Sequence, residues 1–240
     1  MTYNVHSCIG TDGKISPERI ARIIGRHEPD IVALQELDLR RGRTGGFDQP
    51  HIIAKQLEML YHFHPSFQVE EEAYGNAVLS RLPMEIIRAG ALPRIIKNSM
   101  VEPRGAIWTL INVSGIKINL INTHFGFFPR EGIRQAKALL GPEWLGHPVC
   151  QGPVVLCGDF NALPNSELHR NIKGVLRDAQ LELDDHNPKA TWFSHYPLGR
   201  IDHVFVSPDI EVTNVEVSKT DLDKIASDHL PLIVDIKIKK

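Results

Sequence analysis

Cysteine is scarce in this chain. Three occur in 240 residues, Cys8, Cys150 and Cys157, too few for the disulfide framework that staples small secreted domains. Net charge is nearly absent as well: 27 basic side chains face 29 acidic ones, a formal balance of -2. Without a global basic field, tight nonspecific binding of nucleic acid over the whole surface is not favoured. No apolar run approaches the length of a membrane span, and no opening segment has the basic flank and apolar stretch of a signal peptide. Repeats, low-complexity tracts and obvious linkers are missing too. These absences predict one domain over residues 1–240, in a reduced compartment and so cytoplasmic, with no stable membrane insertion. Nothing fixes an oligomeric state, and a monomer is the expectation.

What is present is ordinary globular material, 42% hydrophobic and 23% charged. The chain begins with the strand-like "TYNVHS". "SPERIARIIGRHEPD" reads as a helix capped by Ser16, with Pro17 at its first position and Ile20, Ile23 and Ile24 on one stripe. "IVALQE" is a buried strand and "QPHIIAKQLEML" a second helix. Candidate strands then crowd the centre: "HFHPSF", "NAVLSR", "MEIIRAG", "GAIWTLINV" and "KINLINTHF", the last two joined by the turn "VSGIK". A helix near 130–140 ends at Gly141-Pro142. "VVLCGDFN", "RIDHVFVS", "IEVTNVEVS" and "LPLIVDIKI" complete the set. Hairpins mixed with strand–helix–strand units predict mixed, mostly antiparallel sheets in a layered α/β domain.

The stretch "VVLCGDFNALPN" poses the functional question. A buried apolar strand stops at Gly158 and delivers Asp159 and Asn161. Residues two apart on an extended chain point the same way, so both could face one ligand while Phe160 turns inward. Other strands end or begin similarly: Asn4 in the first, Glu36 after "IVALQ", His124 after "INLINT", Asp202 before "HVFVS", Asp228-His229 before "LPLIVDI". One at a time, each has a plain reading as a solvated end, a cap or a turn. Six such ends on one rim are harder to dismiss. Carboxylates facing each other repel unless a cation joins them, and hard oxygen donors suit Mg²⁺ or Mn²⁺.

The segments "TYNV", "IVALQE", "NAVLSR", "INTHFG", "GDFNALP", "RIDHVFVS" and "SDHLPL", in this order from residue 2 to 232, resemble the endonuclease/exonuclease/phosphatase superfamily. The resemblance implies a four-layer α/β sandwich, two packed sheets flanked by helices. It implies a metal-dependent hydrolase acting on a phosphorylated substrate: nucleic acid, a lipid head group or a small phosphoester. It also implies roles. Glu36 would be the principal metal ligand, with Asn4 and Asp228 beside it. Asp159 and Asn161 would position water and phosphate. His229, held by Asp202, would act as base or stabiliser of the transition state, with His124 near the leaving oxygen. His124 stands where apurinic endonucleases often carry tyrosine, His6 where several relatives are acidic, and Gly199 where an abasic-site enzyme has an aromatic.

Substrate contacts are expected from the loop "LRRGRTGG", whose Arg40, Arg41 and Arg43 could clamp phosphate through bidentate guanidinium forks, or could be solvated. Arg104 and Trp192 come next as pocket residues. His62 and His64 read as surface histidines, Cys157 as a buried inert thiol, and Glu70 to Glu72 as a solvent-facing acidic run. A nuclease and a non-catalytic phosphate-binding module are the competing readings.

Overall fold

The computed structural model describes residues 1–95 and 102–239. The elements run β1 (Thr2–Asn4), α1 (Pro17–His27), β2 (Ile31–Leu39), α2 (Gln49–Leu57), β3 (Leu60–Val69) and β4 (Glu72–Ser80). Then come β5 (Met84–Ala91), β6 (Gly105–Val113), β7 (Ile116–His124), α3 (Pro129–Leu139), β8 (Val154–Asp159) and α4 (Glu167–Lys173). The chain closes with β9 (Arg177–Asp178), β10 (Asp202–Val206), β11 (Ile210–Val217), α5 (Asp221–Ala226) and β12 (Leu232–Ile238).

Among the described residues, twelve strands form two six-stranded sheets, ordered β11-β12-β1-β2-β4-β3 and β5-β6-β7-β8-β10-β9, and only β1–β2 and β7–β8 pair in parallel. Three apolar clusters define four layers. One packs Ile20, Ile23, Ile24 and Ile53 of α1 and α2 on the first sheet. A second lies between the sheets, where Ala33 and Val78 meet Ile107, Leu120, Val155 and Val204. The third seats Ala136, Leu139, Leu168 and Ile172 of α3 and α4 on the second sheet. This is the layered α/β domain that the strand pattern predicts and the four-layer sandwich that the family resemblance implies. Among the described residues, no helix is long and apolar enough to cross a membrane.

The sheet–sheet layer is not purely oily. The buried Asn122 amide on β7 donates to the Leu34 and Ala77 carbonyls of the opposite sheet, at 3.0 and 2.8 Å, and accepts from Gln35 at 2.8 Å. Directional bonds of this kind fix how one sheet sits over the other, which grease alone does not.

Local differences from the sequence reading have physical causes. "TYNVHS" is not strand throughout: β1 stops at Asn4, whose side-chain oxygen accepts from the His6 backbone N–H at 3.0 Å. His6 to Cys8 then turn in a 3₁₀ helix with positive φ. The second strand does not end at Glu36 but runs on to Leu39, with a register shift between Leu34 and Leu37. Helix α5 was not foreseen, although Thr220 and Asp223 form the capping box that announces it.

Candidate active site

The β7, β8 and β10 ladders bring three site residues into one row. His124 pairs with Asp159 on the parallel side, and Asp202 pairs with Asp159 on the antiparallel side. The first sheet supplies the facing groups. Glu36 occupies the bulge of β2 at φ 61°, and a bulge re-aims a side chain that regular alternation would send elsewhere. Asn4 ends β1, and Asp228 and His229 stand in the turn before β12.

Across the gap, the Asn4 amide nitrogen lies 2.9 Å from Glu36 Oε1 and 2.9 Å from Asp159 Oδ2. Asn4 therefore turns its N–H pair, not its oxygen, toward the two carboxylates. Asn161 sits beyond the end of β8 with φ 47°. Strand alternation is thus not what aims it; its backbone N–H donates to Asp159 Oδ1 at 2.8 Å, and its amide donates to the Phe125 carbonyl at 3.0 Å. Phe160 between them is fully buried.

Two histidines flank Asp159 in different states. His229 Nδ1 donates to Asp202 Oδ2 at 2.8 Å, with Nε2 facing Asp159 Oδ2 at 3.8 Å. Burial lowers the His229 pKa, but Asp202 and then Asp159 and Asp228 outweigh it, and the net result is a rise to about 10. Thr191 also donates to Asp202 Oδ2, at 2.6 Å. His124 is driven the other way, well below the usual histidine range, first by burial and then by Arg104 and His229. Neutral at physiological pH, His124 does not form ion pairs with Asp159 and Glu36, although its Nε2 lies 3.4 and 3.9 Å from them. Burial, then the neighbouring Asp202, pushes Asp159 up to about 7.

These groups open on a cavity of about 400 Å³ lined by Glu36, Arg104, His124, Asp159, Asn161, Asp228 and His229, with Phe127, Leu163, Trp192, Gly199 and Ile201 as its apolar walls. The Trp192 indole N–H reaches Asp228 Oδ2 at 3.3 Å. Arg40, Arg41 and Arg43 do not line this cavity. Arg43 forks onto the buried Asp38 at 2.7 and 2.8 Å, Arg40 pairs with Glu71 at 3.2 Å, and Arg41 lies over the Phe67 ring. The acidic run is exposed, yet through Glu71 and Glu72 it neighbours these arginines. His62 and His64 are half-buried rather than surface residues, and burial lowers both pKa values. Cys157 is buried, its thiol pushed up by burial to about 12, too high for a nucleophile.

Among the described residues, three triads have the spacing to hold a metal: Glu36–His124–Asp159, Asp159–Asp202–His229, and His169–Asp178–His203. In the third, Asp178 already takes two hydrogen bonds from Arg200, at 3.1 and 2.8 Å, and one from His169 at 2.8 Å. A guanidinium fills the place of a cation there. Thr191, Asp38 and the Arg200–Asp178–His169 group escaped the sequence reading, because no spacing links them to the motifs they support.

Mixed sheets in a four-layer sandwich, with carboxylates and a His–Asp pair gathered where the sheets meet, define a class of phosphoester hydrolases. The chain belongs to the endonuclease/exonuclease/phosphatase family, whose family model matches residues 1–229; members hydrolyse phosphoesters as phosphatases or nucleases. It is 28% identical over 170 residues to the uncharacterized protein YbhP of Escherichia coli K12, a stretch covering 70% of this chain and 64% of that protein. Its fold is similar to that of an endonuclease/exonuclease/phosphatase from Beutenbergia cavernae DSM 12333, with TM-score 0.79, 24% identity, and coverage of 99% of this chain and 70% of that one. It is also similar to the mannosyl-6-phosphatase Bt3783 of Bacteroides thetaiotaomicron VPI-5482, with TM-score 0.76, 22% identity, and coverage of 99% and 98%.

Proposed function

We propose that the protein is a divalent-metal-dependent phosphoesterase that opens a small phosphate ester by in-line attack of water. One observation carries this reading: Glu36 and Asp159 converge on a single Asn4 amide while the Asp202–His229 pair faces the same Asp159.

The donor set fits a hard dication. Two carboxylates brought to one amide repel each other unless a cation compensates, and carboxylate oxygens match Mg²⁺ or Mn²⁺. Glu36 and Asp228 would hold the ion, which when bound supplies Lewis-acid polarisation of a phosphoryl oxygen. Asn4 keeps Glu36 and Asp159 at a fixed separation by donating to both. Asp159 orients the attacking water. His229, with Nδ1 engaged by Asp202, donates from Nε2 to the phosphoryl oxygen as charge builds there, the stabilising rather than the basic role. Asn161 binds a second phosphoryl oxygen, and neutral His124 serves the leaving oxygen. Trp192 forms a wall of the pocket and, through its N–H, steadies Asp228. All these groups come from one chain, so a monomer suffices.

The cavity of about 400 Å³ has room for a phosphate with one ring-sized substituent. The likeness to a mannosyl-6-phosphatase supports a substrate of that size.

The test is a panel with Mg²⁺ or Mn²⁺: p-nitrophenyl phosphate, bis-p-nitrophenyl phosphate, mannose 6-phosphate, inositol phosphates, sphingomyelin, single-stranded RNA and supercoiled DNA. Hydrolysis of small esters that is abolished by EDTA, and metal affinity weakened in Glu36→Gln, are expected. Full activity in EDTA overturns the metal role. Turnover confined to the polymers makes the protein a nuclease, and no turnover at all makes it a binding module.

A further inference from the structure

Beside the reaction centre, three arginines point the same atom at one carboxylate. Arg41 Nη1 and Arg43 Nη1 lie 3.8 and 3.5 Å from Glu102 Oε1, and Arg104 Nη1 lies 3.6 Å from Glu102 Oε2. Each contact sits at or beyond the limit of a hydrogen bond, so Glu102 is held by charge and not by fitted geometry. Arg104 Nη1 donates to the Tyr74 hydroxyl at 3.1 Å and Arg43 Nη2 to the Ser7 hydroxyl at 3.1 Å, yet among the described residues each arginine keeps a donor without a close acceptor. The Nε–H groups of Arg41 and Arg104 are buried and lack a hydrogen-bond partner among the described residues. Arg43 uses Nε and Nη2 on Asp38 and keeps Nη1 for this site. Guanidinium groups with unused donors are built for oxyanions larger and better shaped than one carboxylate. The site adjoins the cavity: Arg104 Nη1 is also 3.4 Å from His124 Nδ1, and Arg104 lines the cavity beside Glu36.

We propose that Arg41, Arg43 and Arg104 form a second anion subsite, occupied by Glu102 until a second phosphate on the substrate displaces it. The subsite rests on the phosphoesterase reading and names its substrate class, a phosphoester that carries another phosphate close to the one cleaved. Glu102, partly exposed, is free on one side to swing out. Because this internal anion must first leave, substrates with a single phosphate gain nothing from the arginines, and those with two are selected.

Binding can be measured without turnover, by calorimetry with Mg²⁺ in excess. The probes are methylphosphonate and alkane diphosphonates with one to four bridging methylenes, none of which can be hydrolysed. In Glu102→Gln the best diphosphonate should bind roughly tenfold more tightly than in wild type, with methylphosphonate changed by less than about twofold, the difference one arginine–phosphonate contact can supply. Glu102→Ala should behave alike, and adding Arg43→Ala should erase the gain. Glu71→Gln, which removes the same charge beside Arg40, should leave the ratio of the two ligands unchanged. Equal gains for both ligands, no gain for either, or the same gain in Glu71→Gln overturns the subsite. Absence of hydrolysis across the phosphoester panel overturns the phosphoesterase reading alone, because the binding ratio does not depend on it.

Discussion

At the scale of single residues, the Asp202–His229 contact is the most informative. Asp202 is buried, its Oδ2 takes Thr191 at 2.6 Å and His229 at 2.8 Å, and its Oδ1 has no hydrogen-bond partner among the described residues. On the proposed chemistry, a carboxylate held this way keeps the imidazole charged and aimed. Asp202→Asn should therefore remove most of what His229→Ala removes, a loss on the order of 100- to 10,000-fold in kcat, and the double variant should resemble the worse single one. Rates of all three on p-nitrophenyl phosphate decide it; strictly multiplicative losses show two independent groups. Both residues were legible in the sequence, because "RIDHV" and "SDHLP" each place them at a strand end. Thr191 was not. It sits in an irregular loop, and only the folded chain shows which carboxylate its hydroxyl meets.

The elements show where pattern reading ends. Strand–helix order and the capped helix α1 follow from periodicity and from Ser16, whose side chain accepts from the Arg19 N–H at 3.2 Å. The bulge at Glu36 does not, since it depends on how β2 pairs with β4. Nor does the arginine loop: its basic composition was plain, but its carboxylate partners, Asp38, Glu71 and Glu102, come from three separate segments. Gly158 is where element and site meet. It has φ 141°, and a Cβ built there would lie 1.8 Å from the Thr123 carbonyl oxygen on β7. Gly158→Ala must push β8 from β7, so it should destabilise the protein by at least about 2 kcal/mol and misplace Asp159 one residue on. A urea midpoint equal to that of wild type contradicts the close approach.

For the molecule as a whole, one part of the pH dependence comes from a histidine outside the reaction centre. His203, buried against the Phe160 and Phe205 rings, donates from Nε2 to the Ala162 carbonyl at 2.9 Å. Burial, joined by Arg200 and His169 and opposed by Asp178, lowers its pKa to about 4. The unfolded chain therefore binds a proton between about pH 6.5 and 4 that the folded one refuses. Stability from this residue is complete above the unfolded value and falls as the pH drops toward 4, by about 3 kcal/mol at the limit. Urea midpoints from pH 8 to 4.5 should decline in wild type and decline less steeply in His203→Phe, the remainder belonging to His124, whose pKa burial also lowers; parallel slopes remove His203 as a contributor. The cross-sheet arrangement has a consequence of another kind. Asn4 and Asp159, 155 positions apart in the chain, touch, and the sheet that carries Asn4 is finished only by β11 and β12. On the ribosome, a chain synthesised as far as α4 holds Glu36 and Asp159 but not Asp202, Asp228 or His229. On the proposed chemistry such a nascent chain is inert toward the phosphate esters around it, and the hydrolase is armed by the same late step that completes its fold.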